Sequence, residues 1–159
     1  MTGARYCVIA KTTEPTRVAY TRFVGVVNAP SRIWMVRDWA RREGYHLIGA
    51  PRCVFGLEEN HSVMAVCEVQ WPLAEAVEPC QGEVGVRWLP PQRVLATYHQ
   101  GDTADLHTTA AALREWGSAN SYRTGSSLCE IYWFDVRTPR EHWITEVQSL
   151  IEEERRDAE

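Results

Sequence analysis

The chain has 159 residues, 45% of them hydrophobic and 24% charged. A single domain of this length buries roughly two thirds of its unfolded surface and needs no disulfide or metal staple. A formal net charge of −4 offers no basic field to a nucleic-acid backbone, and the longest apolar runs fall far short of a membrane span.

Met1 to Ala10 has no basic stretch followed by a long apolar core, so no secretory signal is expected and a cytoplasmic location is the default. Five cysteines, Cys7, Cys53, Cys67, Cys80 and Cys129, are odd in number and widely spaced. They read as reduced thiols packed as small hydrophobes. No zinc spacing, phosphate loop, dinucleotide fingerprint or nucleophile elbow is present, so neither metal nor cofactor is expected. Seven Trp, six Tyr and three Phe are many for this length. At that density Trp either fills a core or lines a cleft for flat ligands.

Thr16 to Val24 is rich in β-formers and is predicted as a strand. Pro30 suits a first helical turn, Ile33, Val36 and Ala40 follow at helical spacing, and Gly44 stops the helix. Trp34 and Trp39 flank that stripe. Arg52 to Leu57 and Ser62 to Gln70 read as two strands. WPLAEAVEPCQG, with two prolines and a glycine, places a linker at about 73–82. Arg93 to His99 is a further strand. Leu106, Ala110, Leu113 and Trp116 then share one helical face, which Gly117 closes. Ser127 to Asp135 and Trp143 to Gln148 are the last predicted strands. The ending IEEERRDAE reads as a charged tail, a frayed or solvated helix end.

The chain is written twice. RVAYTRFVG begins at Arg17 and RVLATYHQG at Arg93, an offset of 93 − 17 = 76. Gly25 and Gly101 keep that offset, Tyr45 and Tyr122 stand 77 apart, Cys53 and Cys129 stand 76 apart, and Glu68-Val69-Gln70 answers Glu146-Val147-Gln148 at 78. Four matched blocks in one order imply a duplicated unit. The expectation is one domain over 1–159, with repeat 1 at about 5–72, repeat 2 at about 83–151 and a tail at 152–159. Each half reads strand, helix, strand, strand, which makes an α+β fold with helices laid on one face of the sheet.

On the strand from Cys129 to Asp135, alternation sorts Glu130, Tyr132 and Phe134 onto one face. Cys129, Ile131 and Trp133 take the other, and they suit packing under the helices. At an offset of 76, Val54 and Gly56 answer Glu130 and Tyr132, so one half offers small groups where the other offers a carboxylate and a phenol. A carboxylate among rings can pair with a cationic ligand, or act as a general base once desolvation raises its pKa. It can also be an edge-strand glutamate with no task. Glu68 and Glu146 are expected to close the final strands by salt bridges or backbone hydrogen bonds. His99, at a strand end, is either a satisfied structural histidine or a donor to a ligand oxygen.

In order, LPPQRVLATYHQG, LREW, CEIYWFD and WITEVQSLI resemble the GyrI-like proteins, which include effector-binding domains of AraC-type and MerR-type regulators. VAYTRFVG and VCEVQWPL fit as well, and the resemblance spans about Arg5 to Ile151. It implies a pseudo-two-fold antiparallel sheet with a ligand cleft between the halves and a ligand-meeting glutamate, here Glu130. Thr103 stands where the family often has Tyr, which implies altered ligand selectivity. No DNA-binding segment precedes the domain, so the chain does not read as a one-component regulator. The function so implied is binding of a hydrophobic aromatic drug or genotoxin, for detoxification or resistance. Glu130, Tyr132, Phe134, Val54, Gly56, Trp39 and Trp116 would form the site. No direct nucleic-acid or membrane partner is expected. The alternative is a hydrolase that opens the cyclopropane ring of DNA-alkylating natural products, with Glu130 positioning or activating water and Tyr132 or His99 polarising a carbonyl. A third reading is inhibition of a protein such as DNA gyrase.

Overall fold

The computed structural model describes residues 6–56 and 66–154. Its elements in chain order are β1 (Ile9–Thr12), β2 (Thr16–Val24), α1 (Ala29–Glu43), β3 (Arg52–Phe55), β4 (Val66–Pro72) and β5 (Gly85–Leu89). Then come β6 (Arg93–Gln100), α2 (Leu106–Ala119), β7 (Tyr122–Tyr132) and β8 (Ile144–Glu154). The chain forms two compact units, the first from Glu14 to Pro91 and the second from the residues up to Thr13 together with those from Gln92 onward. In the first unit the strand order is β3-β4-β2-β5, and α1 packs on β2 and β4. In the second it is β1-β6-β8-β7, and α2 packs on β6, β7 and β8. Neighbouring strands within each unit are antiparallel. The fold is α+β, and β2-α1-β3-β4 and β6-α2-β7-β8 are the two copies of one plan.

Two strands escaped the sequence reading. β1 precedes β2, the first predicted strand of repeat 1, and β5 precedes β6, that of repeat 2, and their starts, Ile9 and Gly85, keep the offset, 85 − 9 = 76. Each belongs to the unit built by the other repeat. β1 pairs with β6, Ile9 opposite Ala96, and β5 pairs with β2, Thr16 opposite Leu89. The repeated module therefore has a leading strand, and the two leading strands are exchanged.

The helix ends follow local chemistry with one exception. Pro30 sits in the first turn of α1, and Gly44 caps it with φ of 75°, a left-handed conformation that costs glycine little. In α2, Gly117 does not close the helix, which runs on to Ala119. Gly117 is buried, and a Cβ there would stand 2.9 Å from Leu95 Cδ1. It serves close approach of helix to sheet. The expected helical tail is corrected in the same way: β8 continues to Glu154, held by Glu153 opposite Arg123 and Glu154 opposite Tyr122. The strand positions expected at Leu57 and from Ser62 to Ala65 lie outside the described residues.

The core of the second unit is Leu95, Leu106, Ala110, Leu113 and Val147, with Trp116, Tyr122 and Leu128 packed against it. In the first unit Val36, Ala40, Cys53, Cys67 and Val69 are buried. Cys7 and Cys80 are exposed. The tryptophans do not fill a core. Trp34, Trp88 and Trp133 are about half exposed, and the other four are only half-buried.

Candidate functional site

Glu130 stands on β7 opposite Val147 of β8. Val147 belongs to the apolar cluster that α2 covers. By alternation Glu130 and Tyr132 lie on the helix-bearing face, and Cys129 and Ile131 on the face away from it. This reverses the expectation that Cys129, Ile131 and Trp133 pack under the helices. A period of two sorts residues into two sets but does not say which set the helix covers.

Tyr132 Oη donates to Glu130 Oε1 across 2.8 Å. Burial pushes the Glu130 carboxyl above the usual glutamate range, and the Tyr132 hydrogen bond and the proximity of His99 pull it only partly back. Phe134, past the end of β7, meets the Tyr132 ring edge-on at 5.9 Å and stacks on Trp143 at 4.2 Å, the rings nearly parallel. Glu130, Tyr132 and Phe134 thus come together as expected, and Trp143 extends their aromatic wall. Trp143 was legible as an aromatic at a strand start, but nothing in the sequence pairs it with Phe134.

His99, buried on β6, is held at both ring nitrogens. Nδ1 lies 2.7 Å from Thr109 Oγ1, and Nε2 lies 2.9 Å from the Asp102 carbonyl. A carbonyl only accepts, so Nε2 carries the hydrogen. The Thr109 hydroxyl also donates to Tyr6 Oη across 3.4 Å, and both ring nitrogens of His99 are thus engaged within the chain. Thr145, opposite both His99 and Tyr132, is fully buried with no hydrogen-bond partner for its Oγ1 among the described residues. It is a polar group of this face that the sequence reading missed.

Trp116 stacks on Tyr122 at 5.8 Å and packs against the core of the second unit. Trp39 belongs to the first unit, 5.5 Å from Tyr45. Val54 pairs with Glu68, just as Ile131 pairs with Glu146, and Cys53 pairs with Val69, just as Glu130 pairs with Val147. The structural counterpart of Glu130 is therefore Cys53, not Val54, and that of Tyr132 is Phe55, not Gly56. The offset on these strands is 77.

Glu68 and Glu146 are buried at equivalent places on the faces away from the helices, 0% and 3% exposed. Glu146 accepts from Lys11 Nζ at 2.8 Å, from Trp133 Nε1 at 3.3 Å and from Gln148. Glu68 accepts from Arg22 Nε at 3.0 Å, from Arg87 and from Gln70. Lys11 and Arg87 are repeat-related, 87 − 11 = 76, and both sit on exchanged strands. Each leading strand thus brings a cation to the buried glutamate of the unit it joins. Glu130 differs from both: among the described residues no Lys or Arg side chain pairs with it.

The described residues of the first unit form hollows. One, of about 390 Å³, is lined by Tyr20, Arg22, Arg32 and Glu83, and another, of about 460 Å³, by Arg37, Arg41, Tyr45 and Trp71. Among the described residues no cluster of His, Cys, Asp or Glu could hold a metal ion, and no helix is long and apolar enough to cross a membrane.

No protein-family profile and no curated sequence matches the chain. Solved structures do. The C-terminal domain of EcmrR superposes with a TM-score of 0.79 at 17% identity, covering 92% of this chain and 98% of that domain. The fold is the GyrI-like fold. The chain spans 57% of the longer EcmrR chain, seen in an EcmrR–DNA complex. A hydrolase from Listeria innocua matches with a TM-score of 0.69 at 8% identity, over 91% of both chains. SAV2435, solved bound to tetraphenylphosphonium, matches with a TM-score of 0.56 at 12% identity, over 93% of this chain and 94% of its own.

Proposed function

We propose that this GyrI-like protein binds a bulky hydrophobic aromatic cation, a drug or genotoxin, at Glu130, as a means of detoxification or resistance. One contrast carries the reading. Among the residues whose burial is described, Glu68, Glu146 and Glu130 are strand glutamates that are wholly or partly buried, and the first two are matched by a cation of the chain itself. Glu130 is not, and it accepts from Tyr132, whose ring meets Phe134 of the stacked pair Phe134–Trp143. A partly desolvated carboxylate beside aromatic faces favours a ligand that brings positive charge and a flat or bulky apolar body. The likeness to SAV2435, a protein solved with an organic cation, supports this choice of ligand class.

A second reading rests on the raised carboxyl of Glu130 and on the likeness to a Listeria hydrolase. Glu130 would take a proton from water. The hydroxide oxygen would bond to a ring carbon of a cyclopropane conjugated to a carbonyl, and the strained carbon–carbon bond would break. Its electron pair would pass to the carbonyl system, which Tyr132 would protonate. General acid–base assistance of this kind contributes roughly 10²–10⁴-fold.

The test is titration of the protein with tetraphenylphosphonium, followed by Trp fluorescence, beside incubation with a cyclopropane-bearing alkylating agent, followed by mass. Saturable quenching that Glu130→Gln weakens supports binding. A product heavier by one water, lost in the same variant, supports hydrolysis. Neither signal with the wild-type chain would overturn both readings.

A further inference from the structure

The hollow of about 460 Å³ on the first unit lies along the C-terminal half of α1. We propose that it is a second ligand site, for a flat aromatic anion such as an aromatic carboxylate. Its size falls within the usual range of small-molecule sites.

The polar groups it offers are donors. Arg37 and Arg41 stand one helical turn apart, four residues along α1, and so share a face. Neither guanidinium meets a carboxylate among the described residues; that of Arg37 lies 4.9 Å from the centre of the Trp34 ring. Trp71, on β4, lines the hollow, and its Nε1 is buried without an acceptor among the described residues. An indole N–H can only donate, so an acceptor carried by a ligand would satisfy it. The neighbouring acid, Glu75, is occupied by the backbone N–H and ring Nδ1 of His46. Ala40, Leu47 and the Tyr45 ring supply apolar lining.

Two guanidinium groups, one orphan N–H and an apolar lining complement a planar ring that carries a carboxylate. Arg meets carboxylates through two parallel hydrogen bonds. The site is opposite in charge to the one at Glu130 and lies in the other unit, so it stands or falls independently of that reading.

The experiment is calorimetric titration of the full chain with 2-naphthoate. Saturable binding is expected in the wild type and unchanged in Glu130→Gln. It should weaken by about tenfold or more in the double variant Arg37→Gln/Arg41→Gln, as befits lost charge-assisted hydrogen bonds. Trp71→Phe keeps a ring and removes the donor, and should weaken binding several-fold. If Trp71→Phe fails to fold, the arginine pair, exposed on the helix surface, still decides. No saturable binding at millimolar 2-naphthoate, or binding that the double variant leaves unchanged, would overturn the proposal.

Discussion

The Tyr132 hydroxyl lies 2.8 Å from Oε1 of Glu130, two residues away on the same strand and the same face. That bond favours the ionised carboxylate against the burial that raises its pKa. In Tyr132→Phe the Glu130 carboxyl should therefore rise further. Cation binding requires the charged form, so its midpoint should move to higher pH. Titrations with tetraphenylphosphonium across pH 4 to 8 read this shift directly, and an unmoved midpoint would detach Tyr132 from Glu130.

Glu130→Gln should stabilise the protein at neutral pH while weakening cation binding by about ten- to a hundredfold. The folded-state carboxyl lies above the unfolded value, so the folded chain holds its proton more tightly. Wild-type stability therefore falls as pH rises from the unfolded value through the folded one. Gln carries no such penalty. Thermal melts should show the variant's advantage at pH 7 and its disappearance well below pH 4.

Lys11→Met should destabilise the second unit by about 1–2 kcal/mol. This is less than breaking a fully buried pair costs, because Lys11 is 32% exposed. Burial would raise the Glu146 carboxyl, but Lys11, Gln148 and Trp133 together hold it below the usual range. The stabilisation from this pairing is present at neutral pH and is lost as pH falls through the folded value. The gap between wild type and variant should accordingly shrink on acidification. Urea unfolding at pH 7 and pH 4 measures it.

Gly117→Ala should destabilise by about 1 kcal/mol. Alanine gains roughly 1 kcal/mol of helix propensity, but the added Cβ would press on Leu95 in a packed core, where overpacking costs about 1–3 kcal/mol. A lower urea midpoint checks this, and a raised one would mean that Leu95 can move aside.

Much of the fold was legible because local signals were strong. Pro30 and Gly44 bracket α1, and the stripe from Leu106 to Trp116 marks α2. β1 and β5 were not legible. IAKT and GVRWL are short and share almost no residues, so only their common offset reveals their kinship. At the site, alternation grouped Glu130 with Tyr132 and Phe134, yet the choice of face depended on pairing with Val147, a contact distant in sequence. The misplacement of Val54 and Gly56 has a local cause. The extra residue enters between Gly101 and the start of α2, since Ala29 and Leu106 open the two helices 77 apart, so a constant offset of 76 slips by one residue from there on. Tyr45 and Tyr122, already 77 apart, held the correction.

The exchange of leading strands bears on how such a chain could arise. A single repeat, made as a separate polypeptide, could not seat its own leading strand where this protein seats it, nor set that strand's cation on its own buried glutamate. A second copy could do both in return. Two separate copies that lent each other their leading strands would make the same pairings that the duplicated chain makes within itself. Within one chain the two copies need not match, and here one carries Cys53 and the other Glu130 at the same place in the sheet.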